Sequence, residues 1–146
     1  MTIKTFNLKQ FIIVTLVTSI WIHISEIFRY EVFVKPKFQL LLEQVSKVIT
    51  VQSDIIWIWV CWDTLLAGVL VFVFWLYSQV FGNTNRSVLI SSTVVWLAVF
   101  VVYWLATANM GLSEWSMLKV TLPLSWLEMC VGTFIAAKLY KKYKNY

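Results

Sequence analysis

Residues 55–81 carry one full charge, Asp63, in an otherwise apolar run, and a run of that length has few ways to fold. At about 1.5 Å rise per residue, a helix over it exceeds the roughly 30 Å hydrocarbon core of a bilayer while satisfying its own backbone hydrogen bonds. Three further stretches, residues 11–30, 87–108 and 120–137, are long and apolar enough to do the same. The composition agrees. Hydrophobic residues make up 60% of the chain, charged residues 13%, and the mean hydropathy is +0.78, far from a soluble domain. Residues 1–146 therefore read as a single all-α integral membrane domain with four transmembrane helices in an antiparallel bundle.

The connections support that reading. Gly82-Asn83-Thr84-Asn85-Arg86 is a polar turn short enough to make its flanking helices neighbours, and Ser87, just before the next apolar run, is the expected N-cap. Pro123 falls in the expected first turn of the fourth span, where proline is tolerated. Between the first two spans, residues 37–50 alternate apolar and polar at helical spacing, as expected of a short amphipathic interfacial helix. Lys4 and Lys9 precede the first apolar run as in a signal peptide. That run continues into His23, Glu26 and Arg29 instead of a cleavage site, so the first helix is expected to be retained. Arg86 and the basic tail over residues 138–146 put both termini in the cytoplasm. The net charge of +5 follows from these segment ends and implies no nucleic-acid partner.

The first span divides by helical period. Thr15, Ser19, His23, Glu26 and Tyr30 recur on one side, opposite Val17, Ile20, Ile24 and Ile27. Counting from the presumed non-cytoplasmic helix ends, His23 lies roughly 10 Å deep, Glu26 roughly 6 Å, Asp63 and Glu128 roughly 13 Å, and Tyr103 roughly 9 Å. Ionisable groups inside a bilayer are costly and mark functional sites by default. The candidate acid-base residues are therefore His23, Glu26, Asp63 and Glu128. His23 and Glu26, three apart, either satisfy each other or form a proton-handling pair. Asp63 and Glu128 are neutral, face water, or pair across helices with His23 or Arg29. Arg29 reads as an interfacial anchor or a partner for Glu26.

Trp59 and Trp62 are candidate walls of a ligand cavity, and Ser19, Arg29 and Tyr103 complete the candidate ligand-binding set. Cys61 and Cys130 match no metal or redox spacing and read as buried packing residues. No metal or cofactor motif is present, nor a phosphate-cradling glycine loop or a nucleophile elbow. The favoured reading is a site in the non-cytoplasmic half that binds a lipophilic small molecule with a polar or cationic head. The alternatives are an intramembrane isomerase- or cyclase-type enzyme acting on a lipid-like substrate, an accessory subunit of a larger membrane complex, and a proton-coupled transporter. The expected partners are membrane lipids and that small molecule, with a homo-oligomer or larger membrane partner also in view.

Overall fold

A computed structural model describes residues 6–36 and 55–143, which form four long helices and no strand. These are α1 (Leu8–Val34), α2 (Ile55–Phe81), α3 (Asn85–Asn109) and α4 (Trp115–Tyr143), each apolar enough to cross a membrane. The protein is a multi-pass, all-α four-helix membrane bundle. The expected interfacial helix over residues 37–50 lies outside the described residues, as does the end of the basic tail.

Helix limits differ from the apolar limits because capping, not hydropathy, sets them. Asn7 caps α1 by accepting from the Gln10 N–H at 3.1 Å, so the helix starts before residue 11. Its last turn widens to a π-helix over Tyr30–Val34, and just beyond it Lys35 pairs with Glu31 at 2.6 Å. Thr84, not Ser87, caps α3, accepting from the Ser87 N–H at 3.2 Å. Ser87 instead sits buried in the first turn and donates to the Gly82 carbonyl at 2.6 Å. A second π-turn, Leu97–Val101, interrupts α3. Gly111, at φ 72°, ends α3: its N–H donates to the Ala108 carbonyl and that of Leu112 to the Thr107 carbonyl, closing a Schellman motif. α4 begins at Trp115, upstream of the expected 120, which puts Pro123 inside the helix and removes the N–H that would serve the Lys119 carbonyl.

α1 and α3 each pack against both α2 and α4. One buried cluster joins Ile22, Leu66, Leu70, Val95, Phe100 and Met129; another joins Val14, Val71, Phe74, Val88, Ala136 and Ala137. Gly132 lets three helices close up, since a Cβ there would meet the Leu70 side chain at 3.2 Å and that of Thr18 at 3.5 Å. Val17, Ile20, Ile24 and Ile27 face outward, as the helical period of α1 predicts. In a bilayer that surface meets lipid, so its exposure carries no hydrophobic cost.

Candidate functional site

The spacing of three between His23, Glu26 and Arg29 brings all three to the inner side of α1 near its π-turn. His23 meets α2, with Nδ1 3.2 Å from Oδ2 of Asp63. The contact is within ion-pair range, but the ring nitrogen makes no well-directed hydrogen bond. Asp63 is buried; His23 is partly open, at 25% side-chain exposure.

Arg29 is the hub. It donates through Nη2 to Glu26, and its Nη1 stands 3.6 Å from Oε2 of Glu128 on α4. The guanidinium carbon lies 4.9 Å from the centre of the Phe100 ring on α3, a cation–π arrangement. At 5% exposure, Arg29 does not snorkel to the interface, contrary to the anchoring role open to it from sequence. With two carboxylates and an aromatic face within reach, its charge is better stabilised inside than its stem length alone implies. Both π-turns border this hub, one starting immediately after Arg29 and the other containing Phe100. Such wide turns recur at functional sites in membrane and soluble helices alike.

The pairing therefore differs from the simplest local one. His23 contacts Asp63 across helices, while Glu26 goes to Arg29 on its own helix and Glu128 reaches Arg29 from α4. Glu128 is 2% exposed; the Ser25 hydroxyl of α1 faces its carboxylate, but neither oxygen makes a well-directed hydrogen bond among the described residues. Its backbone carbonyl accepts from the Trp21 indole at 3.2 Å, which fixes α4 beside α1 at this level. Three carboxyl groups thus share the layer with one guanidinium and one imidazole, so acceptors outnumber the cationic partners.

The expected ligand-binding residues are dispersed. Ser19 is buried and donates to its own helix at the Leu16 carbonyl. Trp59 is half-exposed and stacks edge-on against Tyr30, with ring centres 4.8 Å apart. Trp62 and Tyr103 lie on the outer surface, at 56% and 57% exposure, and face away from the bundle interior. For Tyr103 the cause is the π-turn at Leu97–Val101, which advances the chain by less rotation per residue and carries later residues off the face of Trp96. Trp96, Phe100, Trp104 and Ala108 then hold the inner side at a step of four. Phe100 and Trp21 join the site without having been singled out for it; that step of four from Trp96 was the available signal for Phe100.

Two surface grooves lie elsewhere. The larger, 640 Å³, runs along α2 between Val60 and Phe72 and is bounded below by Phe11; the smaller, 320 Å³, lies between α3 and α4 beside Cys130. Cys61 is exposed in the larger groove and Cys130 is only partly buried beside the smaller one, 3.3 Å from the Ser92 hydroxyl, so neither is the fully buried packing residue expected from sequence. Among the described residues no three His, Cys, Asp or Glu side chains group as metal ligands. No family model, curated protein or solved structure matches the chain.

Proposed function

We propose that this small membrane protein binds a lipophilic molecule with a cationic or hydroxyl-bearing head in the layer formed by His23, Glu26, Asp63 and Glu128. The observation that carries the proposal is Glu128: a carboxylate at 2% exposure whose oxygens make no well-formed hydrogen bond, although Ser25 faces it and Nη1 of Arg29, itself without a hydrogen bond, stands 3.6 Å away. A buried acceptor in that condition is costly until a donor reaches it. An ammonium or hydroxyl head supplies donors, and hydrocarbon attached to it lies against the apolar faces of the helices. Dodecylamine, dodecanol and dodecanoic acid, titrated into the chain in lipid nanodiscs and followed by tryptophan fluorescence, test this. The amine and alcohol are expected to bind more tightly than the acid, and Glu128→Gln to weaken the amine about tenfold. Equal binding of the acid, or no change in Glu128→Gln, overturns the proposal.

One observation favours a second reading. The 3.2 Å approach of His23 to Asp63 places an imidazole beside a carboxyl group, the pair of side chains that acid-base chemistry uses. An intramembrane isomerase or cyclase acting on a lipid-like substrate would use that dyad as acid and base. Incubation with a lipid extract should then give a mass-neutral product that disappears in Asp63→Asn; product that persists sinks this version.

The topology proposed with either reading keeps both termini in the cytoplasm, supported by Arg86 and by Lys138, Lys141 and Lys142 at the end of α4. Arg86→Cys and Leu112→Cys, each in a background lacking the native cysteines, should react with a membrane-impermeant maleimide from opposite sides, Arg86→Cys from the cytoplasmic one. Labelling of both from one side refutes the topology.

A further inference from the structure

Charge is divided between the two ends of the bundle. None of the seven acidic residues lies within residues 1–25, 64–113 or 129–146, yet those stretches hold seven of the twelve lysines and arginines. The fold brings their ends together. Asn83, in the turn after α2, donates to the Ala137 carbonyl of α4 at 2.8 Å, and Phe6, before α1, meets Trp75 of α2 edge-on with ring centres 4.8 Å apart. An end that carries cations and no carboxylate attracts anions, and at a membrane surface the anions at hand are lipid headgroups. Such attraction is diffuse, but one place at this end is shaped. The 320 Å³ groove between the first turns of α3 and the last third of α4 is lined by Asn85, Val88, Leu89, Cys130, Val131 and Phe134. Apart from Asn85, at the end nearest the turn, the lining is apolar. Lys138 stands one helical turn beyond Phe134 on the same face of α4, and its Nζ lies 4.9 Å from the centre of the Phe134 ring. The ammonium is thus drawn back over a wall of the groove. No carboxylate pairs with it among the described residues. A ring face attracts a cation but accepts no charge-assisted hydrogen bond, so the ammonium donors remain free for an anion. Arg86, next to Asn85, is exposed at the same level.

We propose that the groove between α3 and α4 is a binding site for one anionic phospholipid, with an acyl chain lying between Leu89 and Phe134 and the phosphate held by Lys138 and Asn85. Arg86 adds positive charge at the flank. Two features select a lipid over a soluble anion: the groove is apolar over all but one end, and it opens on a surface that meets hydrocarbon in a bilayer. The cations then select among lipids. A zwitterionic headgroup brings a cation of its own towards Lys138 and Arg86, whereas a headgroup of net negative charge does not. The groove shares no residue with the layer of His23, Glu26, Asp63 and Glu128, so its test stands apart from that of the proposed function.

The full chain in mild detergent, titrated with dioleoyl phosphatidylglycerol or dioleoyl phosphatidylcholine and followed by native mass spectrometry, tests this. One phosphatidylglycerol should bind at least about fivefold more tightly than phosphatidylcholine. Lys138→Gln should bring the two lipids within about twofold of each other. Lys9→Gln removes the same charge from α1, the helix diagonal to α3, and should leave the preference intact. Val131→Trp, which fills the groove, should weaken both lipids, and free glycerol phosphate should displace neither. Equal affinity of the wild type for the two lipids overturns the proposal. So does an equal loss of preference in Lys138→Gln and Lys9→Gln, which would assign the attraction to the whole basic end, and so does unchanged binding in Val131→Trp or displacement by glycerol phosphate.

Discussion

The two ends of the bundle solve the problem of a buried interior in opposite ways. Around Val14, Val71, Phe74, Val88 and Ala136 the interior is apolar and closed, with Phe74 and Val14 at 0% exposure. Around Arg29 the interior holds two ion-paired carboxylates and a cation–π contact, at comparable burial. Packing of the first kind is stabilised by many weak contacts and tolerates changes of chemistry better than changes of volume. The second depends on one cation, and it fails as a unit when that cation is removed. The stability of the apolar end is thus spread over many residues, whereas that of the charged end is concentrated in Arg29.

The contrast is broken most directly at its centre. Arg29→Met leaves Glu128 buried without a positive partner and is expected to destabilise the protein by about 3–5 kcal/mol in equilibrium unfolding in mixed detergent. Adding Glu128→Leu should restore most of that loss; a single variant as stable as the wild type would remove the distinction between the two ends. In the apolar half, Phe74→Ala should cost about 3 kcal/mol by the same assay. That is the low end for such a truncation, because the unfolded helix keeps its side chain in hydrocarbon and only the cavity term remains. No partner substitution elsewhere should rescue it except one that refills the space.

Glycine sharpens the comparison at smaller magnitude. A Cβ at Gly132 would stand 3.2 Å from Leu70, against 3.7 Å from Thr15 for one at Gly68. Gly132→Ala is therefore expected to lose about 1 kcal/mol, and Gly68→Ala to change stability by less than about 0.5 kcal/mol. The turn before α3 gives an effect close in size to that at Gly132. Thr84→Ala removes the cap of α3 and should cost just under about 1 kcal/mol, whereas under the Ser87 assignment it would cost nothing.

Much of this was readable from residue order because spans and faces are local properties. Length and hydropathy place the four helices, and the period of α1 separates Thr15 and Ser19 from Ile20 and Ile24. Counting depth brings His23, Asp63 and Glu128 to one layer. The rotation of each helix about its own axis was not readable in the same way. Uninterrupted α-helical period would place Tyr103 on the face of Trp96, and one π-turn carries it outside. Arg29 looked interfacial because its burial depends on Glu128 and Phe100, which lie roughly 70 to 100 residues away in sequence. Partner choice between charged groups is settled by helices closing on one another, and no local spacing encodes it.

The tryptophan contacts of α4 have a mechanical consequence. Trp21 holds the Glu128 carbonyl, Trp96 holds the Leu122 carbonyl and Ser125, Trp126 donates to Thr93, and Asn83 holds the Ala137 carbonyl. Every one of these bonds joins α4 to α1, to α3 or to the turn before α3, so an axial slip of α4 by one residue would disrupt them together. α2 has no such bond among the described residues; its polar tie to the bundle is Asp63 against His23. Hydrogen bonds between helices thus set the register of α4 against α1 and α3, whereas α2 is held by its packing against all three neighbours and by the single His23–Asp63 contact.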